Sequence, residues 1–442
     1  MPEGVCSMRY RIVSLGCPKN LVDSEYVAGR LEGAGHVLSD DAEIVVINTC
    51  AFIADACSQS IETILDEAEK IKGGGARLAV AGCLVDRYGE ELGGLLPEVD
   101  LFVGRDAYGS IERLVTEKGF FPRKGADGDT GFVDSPPRKV LTPLPTAYLK
   151  IQEGCDNRCS YCTIPAIRGP LKSRPVEQIE EEFLRLREEG FREFNLIGQD
   201  ITSYGRDSGS DLKELLRRLL AVRGDYFIRL LYLHPSGVDD ALLELVGNDD
   251  RVIKYLDIPI QHSEDVLLKA MNRGYSRRDL EDLFGRIRGR MPDAMLRTTV
   301  MVGYPGEREE DFSNLCAFIS RWEFDNLGAF TYSREGGTKA ARMKGHLRKA
   351  IKKRRYGAVM ELQRDISRRR LARLVGRSVR IVVETREADG WTGRLLLQAP
   401  DVDGMAFIKG DCKAGEIRTG KVRRTMDYDV IVELGGANGT DQ

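Results

Sequence analysis

Cys155, Cys159 and Cys162 stand at Cys-x3-Cys-x2-Cys spacing within GCDNRCSYCTIPAIRG, the stretch from Gly154 to Gly169. Three thiolates on one short loop can grip three corners of a cubane iron–sulfur cluster and leave its fourth iron open to another ligand. The alternative, a structural zinc ion, wants a fourth protein ligand nearby. None follows: the next cysteine is Cys316 and the nearest histidine is His234. A second set of thiols is spread over the first hundred residues. Arg11 to Leu15, Ile44 to Ile47 and Leu78 to Ala81 read as buried parallel strands, each followed by a polar turn and a helical pattern such as Val22 to Leu31 or Ser60 to Ile71. Each strand runs into a cysteine, Cys17, Cys50 or Cys83, at two equal intervals of 33 residues (50 − 17 and 83 − 50). Loops that follow the strands of an open parallel sheet share one edge, where ligands bind. The three thiols should therefore converge into a second cluster site with one open iron. The plainer alternative is three small buried residues, since free cysteine often packs as a hydrophobe. Cys6, Cys57, Cys316 and Cys412 lack such a setting and read as plain thiols.

The loop from Gly154 to Gly169 resembles the signature of the radical S-adenosylmethionine (SAM) enzymes. That resemblance implies that the open iron binds SAM and that one electron cleaves it to a 5'-deoxyadenosyl radical, with the protein holding the reactants in a dry pocket. Tyr161 then occupies the position that packs near the adenine; the alternative is an ordinary loop aromatic. A three-cysteine domain ahead of this signature resembles the methylthiotransferases, which attach a methylthio group to an unactivated carbon. SLGCPKNLVDSE from Ser14, NTCAFI from Asn48 and GCDNRCSYCTIPAIRGPLKSRP from Gly154 are similar to the branch that modifies an aspartate of small ribosomal subunit protein S-twelve. Relatives that act on transfer RNA carry other residues beside the same cysteines, so Pro18-Lys19-Asn20 and Pro165-Ala166-Ile167 tilt the choice.

These centres need elements to position them, and the bulk numbers suit a large globular protein. At about 150 residues per domain, 442 residues suggest three domains. Hydrophobic residues make up 42% and charged residues 31%, and 66 basic against 69 acidic residues give a net charge of −3. That balance excludes an indiscriminate polyanion binder. MPEGVCSMRYRIVSLG lacks a signal peptide's apolar core, and no run approaches the roughly 18 apolar residues of a membrane span, so a cytoplasmic protein is expected. Cysteines at ligand spacing fit a reducing compartment.

Residues 8–105 are expected to form the first α/β domain, residues 106–142 a linker, residues 143–374 a partial (βα)6 radical-SAM barrel and residues 375–442 a small antiparallel β-barrel. Gly119 to Pro145 is rich in Pro, Gly and Asp without periodicity. Ala147 to Gln152, Glu193 to Gly198, Phe227 to Tyr232, Tyr255 to Ile258, Leu296 to Val302 and Asn326 to Tyr332 read as barrel strands, with helices such as Val176 to Glu189 between them. Barrel chemistry sits at strand C-termini, which selects Gly198, Gln199, Asp200, His234, Gln261, His262 and Gly303. The resemblance implies that Gly198, Gln199 and Asp200 lie where SAM's amino group is held and that Gly303 meets the adenine, where a glycine would let backbone approach closely. His234 and His262 either line the barrel top or take part, and hydrogen abstraction needs neither as an acid or base. Arg168 and Arg174 read as surface pairs that could alternatively position an acidic group.

Arg342 to Arg373 holds 13 basic residues against Glu361 and Asp365. Val359, Leu362 and Ile366 at helical spacing suggest a helix that packs on the barrel with its charges in water. Val379 to Thr385, Trp391 to Gln398, Met405 to Ile408, Glu416 to Thr425 and Asp429 to Leu434 read as five strands of an OB-like barrel, which the resemblance makes a TRAM domain gripping the substrate. From Gly376 onward there are 10 basic and 11 acidic residues. A module gripping RNA backbone would be basic, so near-neutrality favours a basic protein target.

The expected function is thus a SAM-dependent protein methylthiotransferase with two 4Fe-4S clusters, Cys17, Cys50 and Cys83 holding the auxiliary one and Cys155, Cys159 and Cys162 the radical-generating one. An electron donor and a sulfur donor would be its other partners. The rivals are a transfer-RNA methylthiotransferase with the same clusters and a non-catalytic zinc-bound RNA-binding protein.

Overall fold

Short apolar runs separated by helices give a parallel sheet, because a strand buried on both faces needs a helix on each side. The computed structural model describes residues 7–121 and 138–435. Cys6, part of the expected linker and the last residues of the expected closing domain lie outside the described residues. The first sheet has six strands, β1 (Arg9–Ser14), β2 (Val37–Leu38), β3 (Ile44–Thr49), β4 (Arg77–Gly82), β5 (Leu101–Val103) and β6 (Gly119–Phe121). All pairings in the order β2-β1-β3-β4-β5-β6 are parallel. Every residue of β3 is buried, and β4 is buried from Leu78 onward. Helix α1 (Pro18–Gly33) follows β1, α2 (Ala54–Ile71) follows β3 and α3 (Cys83–Tyr88) follows β4. Strand β6 falls inside the stretch expected to be linker; three residues are too few to show a period.

The chain divides into two compact units. The first runs to Leu141 and takes in Lys150–Arg174 and Glu335–Thr338; the second holds Thr142–Leu149, Pro175–Arg334 and the chain from Lys339 onward. The cysteine loop thus packs as part of the first unit, where β8 (Gln152–Glu153) and β9 (Lys172–Ser173) form an antiparallel pair around it.

In the second unit, β7 (Thr146–Lys150), β10 (Glu193–Ile197), β11 (Phe227–Leu230), β12 (Val252–Asp257), β13 (Met295–Val302) and β14 (Asn326–Thr331) form one open sheet in the order β14-β13-β12-β11-β10-β7. These are the six strands read from the sequence. The last five strands, β15 (Ser378–Glu387), β16 (Gly390–Leu395), β17 (Ala406–Lys409), β18 (Ile417–Thr425) and β19 (Val430–Leu434), close into a barrel. Four of its pairings are antiparallel and β17 pairs with β19 in parallel, within the small OB-like barrel expected from the sequence. A long excursion from β17 through β18 brings β19 back in the same sense.

Glu193 joins this barrel to the sheet. Its carboxylate accepts from Arg229 Nη2 at 2.9 Å, Arg394 Nη1 at 3.0 Å and Thr146 Oγ1 at 2.8 Å, and Arg229 Nη2 also donates to Leu396 O at 2.6 Å. Burial opposes its charge, yet Arg394 and Arg229 outweigh burial and hold its carboxyl at about 2.

The basic helix spans Lys349–Ala372 and does not keep all its charges in water. Arg355 and Arg370 are buried against Glu307 and Asp325, at 2.7 and 2.6 Å, and Gln363 and Ser367 share the buried seam. Leu362 is only partly buried, whereas Val359 and Ile366 are fully so. Among the described residues no helix is long and apolar enough to cross a membrane.

Candidate functional site

Three loops leave the same edge of the first sheet, each into the start of a helix. Cys17 is the residue before α1, with Pro18 at the helix's first position, and Cys83 is the first residue of α3. At Cys17 the Lys19 and Asn20 N–H groups of the helix start donate to the sulfur, which favours its thiolate. Asn20 stitches the loops together. Its Nδ2 donates to Leu15 O at 3.0 Å and Thr49 O at 2.7 Å, its Oδ1 lies 3.5 Å from Cys83 Sγ, and Asn48 Nδ2 donates to Asn20 O at 2.8 Å. Gly16 has φ +88°, and a Cβ there would meet Cys50 Sγ at 2.7 Å, so only glycine lets the first loop lie against the second.

The thiols sense one another. Burial pushes Cys50 up to about 11, and the neighbouring Cys17 and Cys83 add to the shift. Burial also raises Cys83, with Arg168 and Arg105 opposing it. At Cys17 burial is outweighed by Lys19 and Arg168, and its thiol falls below the ordinary range. The three cysteines follow strands that share one edge of the first sheet, and Cys50 feels both of the others.

The loop set is held locally. Cys155 N–H donates to Gly169 O at 3.2 Å, Cys162 N–H to Cys159 O at 3.1 Å, and Ile164 N–H points at Cys162 Sγ at 3.4 Å. All three cysteines are partly exposed, and the Tyr161 ring between them is buried.

Behind both sets lies a buried group of charges that the sequence did not disclose. Arg168 Nη1 forks onto Glu153 at 2.9 and 3.0 Å, and its Nη2 donates to Asp23 Oδ2 at 3.2 Å, to Asn20 Oδ1 and to Cys83 Sγ at 3.3 Å. Lys150 Nζ donates to Glu153 at 3.0 Å and to Asp23. Arg105 Nε donates to Asp86 at 2.5 Å and its Nη2 to Ile167 O at 2.6 Å. Arg168 and Arg174 are both buried, not surface-paired as expected; Arg174 Nη1 donates to Lys150 O at 3.0 Å. Isolated charges give no periodic signal, so only the fold reveals that these meet.

In the second unit, Gly198, Gln199 and Asp200 follow β10. Asp200 is buried, and its Oδ1 accepts from Thr202 N at 3.0 Å and Thr202 Oγ1 at 2.6 Å, capping the short turn Ile201–Ser203. His234 follows β11 and meets Tyr275 edge to face at 5.4 Å, while Arg273 Nε donates to Tyr275 Oη at 2.8 Å. Burial, then Arg273, lowers His234 to about 4. Neither Arg273 nor Tyr275 stood out in the sequence, because they lie beyond the strand ends. His262 Nδ1 accepts from the Ser263 and Glu264 N–H groups, and burial lowers its pKa to about 3. Both imidazoles are therefore neutral near pH 7. Gly303 follows β13 with φ +77°, and a Cβ there would meet Lys352 Cγ at 2.4 Å. A side chain, rather than open space, lies where that Cβ would stand.

Among the described residues no three His, Cys, Asp or Glu side chains are gathered to hold one metal ion. A cubane takes its thiolates on separate irons. Two triplets of cysteine, one beside Arg168 and Lys19 and the other on a partly exposed loop, suit that donor chemistry.

Comparison with known proteins gives matches along nearly the whole chain. Residues 9–104 match the uncharacterized protein family UPF0004, residues 149–319 the Radical SAM superfamily and residues 375–434 the TRAM domain. The chain is 44% identical over 436 residues to the ribosomal protein uS12 methylthiotransferase RimO of Geobacter sulfurreducens, covering 96% of this chain and 98% of that protein. The RimO protein of Acetivibrio thermocellus is 40% identical over 443 residues, covering 96% and 97%. Among solved structures, the radical SAM methyltransferase TsrM of Kitasatospora setae aligns with a TM-score of 0.57 and 16% identity over 76% of this chain and 77% of that one. That likeness is one of fold.

Proposed function

The chain belongs to the RimO family of radical SAM methylthiotransferases, and from that premise we propose that it adds a methylthio group to the β-carbon of an aspartate of small ribosomal subunit protein uS12. The observation that carries the reading is the pair of three-cysteine sets in the first unit, one made by three strand ends and one by a single loop. Cys17, Cys50 and Cys83 would hold an auxiliary 4Fe-4S cluster, and Cys155, Cys159 and Cys162 a second one. When bound, the clusters and SAM would supply the electron, the radical that removes hydrogen from carbon and the sulfur.

The chain's own residues do the rest. Glu153 and Asp23 neutralise Arg168 and Lys150 behind the cysteine loop, so the loop is anchored from within instead of by solvent-exposed pairs. Gly198, Gln199, Asp200 and Gly303 would face SAM from the carboxyl edge of the second sheet, and Tyr161 is assigned to its adenine by the family resemblance. Asp200 enters that role already oriented by Thr202. His234 and His262, kept uncharged mainly by burial, would line the barrel top without relaying a proton. The near-neutral closing barrel would receive a basic protein rather than RNA. A ribosomal target would fit a cytoplasmic reaction, with an electron donor and a sulfur donor as further partners.

The test is an anaerobic competition. Reconstituted protein, reductant, sulfide and SAM are mixed with small ribosomal subunits and bulk transfer RNA, and each is analysed by mass spectrometry. A methylthio group on a uS12 aspartate with unmodified RNA is expected. A methylthio-nucleoside with unmodified uS12 would transfer the activity to RNA, and a colourless zinc protein would remove it.

A further inference from the structure

Arg168 lies six residues after Cys162 (168 − 162), on the short helix Ile164–Arg168, yet its side chain ends among the strand-end loops. Its side chain is 2% exposed. An arginine that served only to anchor this helix would be satisfied by Glu153 and Asp23, which take three of its contacts. Nη2 nonetheless also reaches Cys83 Sγ at 3.3 Å. Guanidinium only donates, so the sulfur is the acceptor. A donated N–H and a full positive charge beside a ligating sulfur stabilise the more negative, reduced state of a metal–sulfur centre, and burial strengthens both effects. Glu153 is 1% exposed and bidentate to the same guanidinium, so it offsets part of that charge.

We propose that Arg168 is a positioning residue that sets the reduction potential of the centre held by Cys17, Cys50 and Cys83, with Glu153 as the counter-charge that limits its effect. The proposal rests on those cysteines holding a cluster. Because Arg168 extends from the segment that follows Cys162, the strand-end centre's potential depends on how the cysteine loop is seated. The seating of the loop and the positive charge beside Cys83 are thus linked through one side chain.

The experiment is a mediated dithionite titration of the anaerobic holoenzyme followed by low-temperature electron paramagnetic resonance, with SAM added to mark the loop centre by its altered signal. Arg168→Gln should make the strand-end centre at least tenfold harder to reduce, about 59 mV for a one-electron couple, with a smaller change at the loop centre. Arg168→Lys keeps the charge and should restore at least half of the shift. Glu153→Gln keeps the arginine and should move the midpoint the other way, which decides the matter by sign if Arg168→Gln loads poorly. An unshifted midpoint in a fully loaded Arg168→Gln protein, or shifts of the same sign in both variants, overturns the proposal. Wild-type protein that shows no strand-end centre at all refutes the cluster reading instead.

Discussion

Cys17, Cys50 and Cys83 are held by three strand ends, whereas Cys155, Cys159 and Cys162 are held by one loop, and the two sets ask different things of the chain. The strand-end set exists only when β1, β3 and β4 are paired, because 33 residues separate one thiol from the next. Its precision comes from tertiary contacts, with Asn20 tying two backbone carbonyls and Gly16 clearing room for Cys50. The loop set is shaped by local turns, with backbone–backbone bonds between Cys155 and Gly169, while Arg105 and Arg168 tie the segment to its surroundings. One site is thus as cooperative as the sheet; the other is nearly a peptide motif seated on buried charges. A change at the first should cost folding as well as chemistry, and a change at the second chemistry alone.

The largest effect that separates them is catalytic. Cys50→Ala and Cys159→Ala should each abolish methylthiolation, but only Cys159→Ala should also abolish reductive cleavage of SAM, measured as 5'-deoxyadenosine by liquid chromatography. Equal loss of SAM cleavage in both variants would merge the two sites. Next comes a control in the other unit. Glu193→Gln leaves Arg229 and Arg394 buried with reduced compensation and should cost about 3–5 kcal/mol in denaturant unfolding, while both clusters load normally. Its wild-type counterpart carries a pH signature. Glu193 titrates at about 2 in the fold against an ordinary 4.5, so its contribution is complete above pH 4.5 and is lost as the pH falls toward 2, on the order of 3 kcal/mol in all. The acid limb of a stability–pH curve should flatten in the variant. The smallest effect is the sharpest for the comparison. Asn20→Ala removes two backbone contacts and should cost about 2–3 kcal/mol and deplete the strand-end cluster selectively, with the loop cluster's iron retained. Loss of both clusters in parallel would show that the loop depends on the sheet after all.

How much of this could be read beforehand follows the same division. The loop set was legible from spacing alone, and the strand-end set from the rhythm of apolar runs, since a fully buried β3 or β4 leaves a clear signature. Strands β2, β5 and β6, of two or three residues each, are too short to carry a period and emerge only as partners of longer neighbours. The parallel pairing of β17 with β19 is a matter of topology, which alternation along a strand does not encode. The buried charges were the largest omission. Arg168, Lys150 and Arg105 look like surface residues one at a time, and it is their pairing with Asp23, Glu153 and Asp86 that makes their burial tolerable. Arg355 and Arg370 repeat that lesson on the basic helix.

The reading requires one chain to hold two separate three-thiolate iron–sulfur sites. Iron, acid-labile sulfide and zinc should be counted on anaerobically reconstituted wild-type protein and on two variants in which one whole set, Cys17, Cys50 and Cys83 or Cys155, Cys159 and Cys162, is replaced by alanine. Matched iron and sulfide for two 4Fe-4S clusters are expected in the wild type, half of each in either variant, and no stoichiometric zinc. A wild type with a single cluster, lost equally from both variants, or one filled with zinc, would contradict it.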